Sequence, residues 1–139
     1  MIFFIKFFCL IFFVPVICIS KDIIINNIIY KYINDSDLGD KYLIDVKSIK
    51  SKENFRSALI LINYNPDSPP KFNNENVLSS IELEEFNCND NSHTNFSRKF
   101  YSKADLSGKT INFENSQTRT KYLNPKSGLF NVLKRLCSQ

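Results

Sequence analysis

A chain of 139 residues with 18 basic and 14 acidic side chains, net charge +4, is long enough for one domain and too short for two of ordinary size. Its basic residues are scattered and form no dense stripe, which excludes a nucleic-acid footprint. One histidine and four cysteines leave too few ligands for a zinc centre once cysteines pair, and there is no Gly-rich phosphate loop or GxSxG elbow.

The first predicted element is residues 1–20, a secretory signal peptide. Lys6 is its only charge, and residues 7–19 are apolar throughout. That run fits an h-region and is short for a membrane span. Pro15 breaks a helix toward its end. Cys18-Ile19-Ser20 places small residues at −3 and −1, so cleavage is expected between Ser20 and Lys21. The competing reading is an uncleaved anchor spanning residues 2–19. A lipoprotein is disfavoured, because Pro15-Val16-Ile17 puts no small residue before Cys18. Residues 21–139 are then a single exported domain. The heavy use of Ile, Asn, Lys and Phe reads as genomic base bias. The sequons at Asn34 and Asn95 are read as products of that bias.

Residues 28–33 alternate, with Ile28, Tyr30 and Tyr32 on one face, and predict a strand. Residues 35–40 are a turn by composition. Tyr42, Ile44 and Val46 alternate again. Residues 58–62 are apolar on both faces and predict a central covered strand. Residues 67–76, with Pro69-Pro70 and clustered Asn, read as a mobile loop. Residues 77–88 are a long strand. Ile81 and Leu83 face one way, and Glu82 and Glu84 are placed on a solvated face. A bulge at Glu84-Glu85 would bring Phe86 and Cys88 into phase with the two aliphatic residues. Residues 96–102 and 110–113 predict two more short strands. Leu129, Val132, Leu133 and Leu136 then recur at i, i+3, i+4 and i+7, one face of a helix. Ser127 is a suitable N-cap, and Lys134 and Arg135 suit the negative end of the helix dipole. Strands first and a helix last give an α+β class: an antiparallel sheet of about five to six strands with a C-terminal helix packed on it.

Cys9 and Cys18 leave with the leader. Cys88 and Cys137 remain, and two thiols in an exported small domain are expected to pair. A closed loop of about 50 residues is worth about 4 kcal/mol in the chain-entropy picture. Catalytic signals are sparse. His93 falls in a predicted polar turn and reads as a surface residue. Arg56, Arg98 and Arg119 with tyrosines 42, 64, 101 and 122 offer either a binding face or ordinary sheet packing. No catalytic residue, metal or cofactor is expected.

Several pieces of the sequence align with one family. They are Tyr42-Leu43-Ile44-Asp45 with Ser48-Ile49, then Arg56 opening a strand that ends Asn63-Tyr64. Ser79-Ser80 leads to Cys88, and Tyr101-Ser102 precedes Gly108. Tyr122, Pro125, Ser127 and Cys137 close the pattern. From Tyr30 to Cys137 the chain resembles the surface-adhesin protein E family of Gram-negative bacteria. The resemblance implies an exported protein with an antiparallel sheet and a C-terminal helix. It also implies binding to host matrix proteins such as vitronectin and laminin, as for the family's best-known surface lipoprotein. The chain departs from the family in having no Trp, with Ser57 and Tyr122 where Trp is usual, and in lacking a lipobox. The expected function is a non-enzymatic binding protein, adhesin-like, at the cell surface, in the periplasm or secreted. Its partners would be host extracellular-matrix or envelope proteins, not nucleic acid. A small enzyme, an enzyme inhibitor and a structural envelope component are the alternatives. The expected binding surface is basic: Arg98, Lys99, Arg119 and Lys121.

Overall fold

The computed structural model describes residues 21–115 and 120–138. The leader, its cleavage point at Ser20 and the candidate Arg119 lie outside the described residues. Strands β1 (Ile23–Ile25), β2 (Ile28–Asp35), β3 (Lys41–Asp45), β4 (Lys50–Lys52) and β5 (Phe55–Asn63) come first. A two-strand hairpin follows, β6 (Lys71–Phe72) and β7 (Glu75–Asn76). Then come β8 (Ser79–Asn87), β9 (Ser92–Tyr101), β10 (Thr110–Glu114), β11 (Lys121–Tyr122) and the helix α1 (Gly128–Cys137). The main sheet runs β1-β2-β3-β5-β8-β9-β10, with β4 on β5 and β11 on β9. Every pairing is antiparallel.

This is the α+β architecture expected, with nine strands in the main sheet instead of five or six. The additional strands β1, β4 and β11 are two or three residues long, too short to show a period of two. Residues 67–76 are not simply a loop. Asn73 and Asn74 both take positive φ, the backbone of a tight hairpin turn, and Phe72 packs its ring 5.7 Å from that of Phe100. Asn26 and Asn27 turn β1 into β2 in the same way.

One core lies between the sheet and α1. It joins Ile44, Ala58, Ile60, Ile62 and Phe86 to Val132, Leu133 and Leu136. The helix lies over β2 and β3. It begins close against the sheet: a Cβ on Gly128 would collide with the Tyr42 ring. A second, smaller cluster of Tyr30, Leu43 and Leu61 sits on the opposite face under Ile23, Ile25 and Leu106. Hydrophobic burial on two faces of β5 accounts for its unbroken apolar run.

Candidate functional site

The register across β5, β8 and β9 overturns the expectation for the glutamates. Ile60 pairs with Glu82 and Ala58 with Glu84, so both carboxylates share the face that α1 packs on. Glu84 is 1% exposed and Glu82 is buried too. Ile81 and Leu83 point to the other face. Phe86 keeps the parity of the glutamates, and the bulge is on the neighbouring strand. Leu83 pairs with Ser97 and Glu84 with Asn95, which leaves Phe96 as the extra residue of β9. Reading apolar residues as inward assigned the wrong face. The usable signal was Phe86, whose large ring shares its parity with Glu82 and Glu84 and needs no bulge in β8.

The buried carboxylates are satisfied by a polar chain. Asn95 Nδ2 donates to Glu84 Oε1 at 2.6 Å and to Glu82 Oε2 at 3.1 Å. Ser80 Oγ donates to Glu82 Oε1 at 2.9 Å, and Tyr64 Oη lies 3.1 Å from Ser80 Oγ. His93 Nδ1 sits 2.8 Å from Glu84 Oε2. His93 is therefore no surface residue in a turn. β9 starts at Ser92, and its pleat turns the imidazole inward, stacked on Phe86. Burial, then repulsion by the Glu84 carboxylate, pushes the Glu82 acid up to about 7. Burial, then the Glu82 charge, pushes the Tyr64 phenol well up, and burial and Asp40 push Tyr42 up to about 12. Tyr42 and Tyr64 both pack against the helix-side core. Arg56 donates to the carbonyls of Glu53 and Phe55. These three are sheet packing and turn closure, not a binding face.

The basic candidates separate. Arg98 pairs with Glu82 and projects on the helix side, its guanidinium 3.7 Å from Glu114. Lys99 projects on the opposite face, its ammonium over the Tyr101 ring at 5.2 Å. Lys121 is exposed on β11, paired with His93. On the helix-free side, Lys99 is the direct cross-strand partner of Phe113, which is 59% exposed on the edge strand β10. Tyr122, 79% exposed, lies farther along the same border opposite Ser92. Composition alone did not single out Phe113. Its exposure follows from the edge position of β10, which a sequence does not display.

Cys88 and Cys137 form a disulfide with Cα atoms 5.6 Å apart. It ties the end of β8 to the last residue of α1, as expected. Among the described residues no three His, Cys, Asp or Glu side chains are grouped to hold a metal ion, and no helix is long and apolar enough to cross a membrane. A cleft of about 790 Å³ lies open between β1, β2 and the loop carrying Asp105. Lys21, Tyr32, Lys41, Asn63 and Asp105 contribute to its wall, and none of Glu82, Glu84 or His93 does.

With this architecture in view, residues 30–138 match the family model for surface-adhesin protein E. This chain belongs to the surface-adhesin protein E family. Solved structures of Haemophilus influenzae protein E share the fold. Crystal form II is 19% identical, with a TM-score of 0.55 over 77% of this chain and 87% of that one. A second structure is 20% identical, with a TM-score of 0.54 over 77% and 83%. The selenomethionine form is 18% identical, with a TM-score of 0.56 over 78% and 86%. No curated protein matches the sequence. The fold of antiparallel sheet and terminal helix is thus shared with these structures.

Proposed function

We propose that this adhesin-E protein is an exported, non-enzymatic binding protein. It recognises a protein of the host extracellular matrix or of the envelope through the helix-free border formed by β9, β10 and β11. The observation that carries the reading is Phe113. A large aromatic ring left exposed on an edge strand beside Lys99 and Tyr101 has the composition of an interface centre, where aromatics are enriched. Tyr122 extends the patch, and Lys121 lies at its rim. Arg119 is carried as a further candidate charge, of the kind that acts on association rate and salt dependence more than on affinity, whereas Arg98, on the helix side, is not part of this border. Family membership supports the reading. The open cleft at β1 and β2 is lined by none of His93, Glu82 or Glu84, which supports a surface over a catalytic pocket.

The test is a pair of changes, Phe113→Ser with Lys99→Glu, in the mature chain. Binding is followed by surface plasmon resonance on immobilised vitronectin, laminin and envelope extracts at low and physiological salt. The double variant should weaken binding at least about tenfold, a loss of roughly 1.4 kcal/mol, at an unchanged melting temperature. Equal binding by wild type and variant removes this border from the site. A wild type that binds none of these proteins removes the adhesin reading itself.

A further inference from the structure

Glu82, Arg98 and Glu114 occupy one straight row across three strands. Glu82 of β8 is the direct partner of Arg98 on β9, and Arg98 is the direct partner of Glu114 on β10. Directly opposed residues hold their Cβ atoms about 5 Å apart, so a guanidinium in the middle reaches either carboxylate. In this structure it leans outward, with Nε 3.7 Å from Glu114 Oε2 and 3.4 Å from Asn95 Oδ1. Its side chain is 31% exposed, which leaves it free to turn. We infer that Arg98 is the moving part of a pH-sensitive switch. With Glu82 protonated it fastens the edge strand β10 to β9 through Glu114. With Glu82 ionised it turns inward and releases β10.

The charges around Glu82 allow this. Glu84 on its own strand repels a second negative charge. From β9 come Asn95, a neutral donor, and Arg98. The Ser80 hydroxyl comes from its own strand, and those of Tyr64, just past β5, and Tyr42, on β3, come from outside it. His93 is engaged with Glu84, and Lys121 stands beside it on β11. The buried residues of α1 are Gly128, Phe130, Val132, Leu133 and Leu136, none of them charged. Arg98 is thus the cation in line to meet an ionised Glu82. A buried ionised carboxylate needs such a partner, whereas the exposed pair with Glu114 is worth little and is easily given up. The sign follows from the raised acid. Glu82 ionises at about 7 in the fold against an ordinary 4.5. Its contribution to stability is complete below the unfolded value and is lost as pH rises through neutrality. The outcome is an edge strand, the one bearing Phe113, that is fastened in mild acid and loosened above neutral pH.

The experiment compares the disulfide-bonded mature chain with Glu82→Gln at pH 5.5 and pH 8. The melting temperature of the wild type should fall by roughly 5–10 °C across that range. Amides of β10 should exchange faster at pH 8 after correction for intrinsic rate. Glu82→Gln should be flat in both readouts. A variant with the same pH dependence as the wild type overturns the switch, as does wild-type β10 protection that is equal at both pH values. Should Glu82→Gln not fold, carboxyl-carbon NMR titration of the wild type decides. A Glu82 midpoint near neutrality, with the Arg98 Nε resonance moving in step, supports the inference. A midpoint near 4.5, or a stationary Arg98, overturns it.

Discussion

β5 and β8 lie side by side along all nine residues of each, and both feed the same surface beneath the helix. β5 supplies Ala58, Ile60 and Ile62. β8 supplies Ser80, Glu82 and Glu84, no less buried, and only Phe86 is apolar. The difference follows from where α1 lands. It lies over β2 and β3, and its apolar stripe reaches β5 and Phe86. The row on β8 beyond its reach is instead filled by polar side chains that satisfy one another. One half of this face is held by area removed from water, the other by hydrogen bonds that cost free energy when left unmade. The two halves should therefore fail differently.

The largest effect should come from the link between them. Cys88 ends the polar strand and Cys137 ends the helix that covers the apolar one. The bridge closes a sequence separation of 49 residues. In the chain-entropy picture a loop of about that length contributes about 4 kcal/mol. Replacing both cysteines with Ala should lower the melting temperature by roughly ten degrees or more. Calorimetry of oxidised wild type against the double variant measures it. A loss of under about 1 kcal/mol would show that the helix is held by its apolar stripe alone.

A smaller effect separates the two halves directly. Asn95→Leu keeps the branched shape but removes the amide that bridges Glu82 and Glu84. Two buried carboxylates then lose a donor, at a cost of about 2–3 kcal/mol. Ile60→Val, two strands away on β5, deletes one methylene from the apolar half and should cost about 1 kcal/mol. Urea denaturation of both variants gives the ratio. If Asn95→Leu is as mild as Ile60→Val, the polar chain does not hold its half of the face.

How far the sequence reveals this molecule follows the same division. Where burial and hydrophobicity coincide, at residues 28–33, 42–44, 58–62 and the helix stripe, alternation and the 3.6 period locate the elements and their inward faces; Val46, read as continuing the face of Tyr42 and Ile44, instead lies 49% exposed in the 3-10 turn after β3. Ser127, Cys88 and Cys137 carry their roles in their residue types. The reading fails where burial and polarity coincide. Glu82, Glu84 and His93 look like solvated positions because their partners, Asn95 and Tyr64, come from other strands. Pairing across strands is set by register, which no local pattern encodes. Phe113 is the converse case: an apolar residue in a strand read without a face, which the edge position of β10 leaves in water.

The smallest prediction tests how α1 is seated over β2 and β3. Ser127 holds extended backbone, φ −76° and ψ 146°, and its Oγ accepts from the Phe130 amide at 3.2 Å. The Ser127 carbonyl accepts from the same amide at 3.1 Å, so losing the hydroxyl leaves that donor partly met. Ser127→Ala should therefore cost about 1 kcal/mol or slightly less, within the range for N-cap removal. Ser127→Asp keeps an acceptor and adds a negative charge at the positive end of the helix dipole, so it should be neutral or slightly stabilising. Gly128 packs against Tyr42 at this same turn, so a frayed cap should loosen the cover of β3 and β5 first. Hydrogen exchange in Ser127→Ala should then speed up at the Phe130 amide and at Ile44 and Ile60 before it changes at Asn95 or Arg98. Equal acceleration on both halves would show that the face beneath the helix opens as one unit, and that the division between its apolar and polar parts does not extend to its motions.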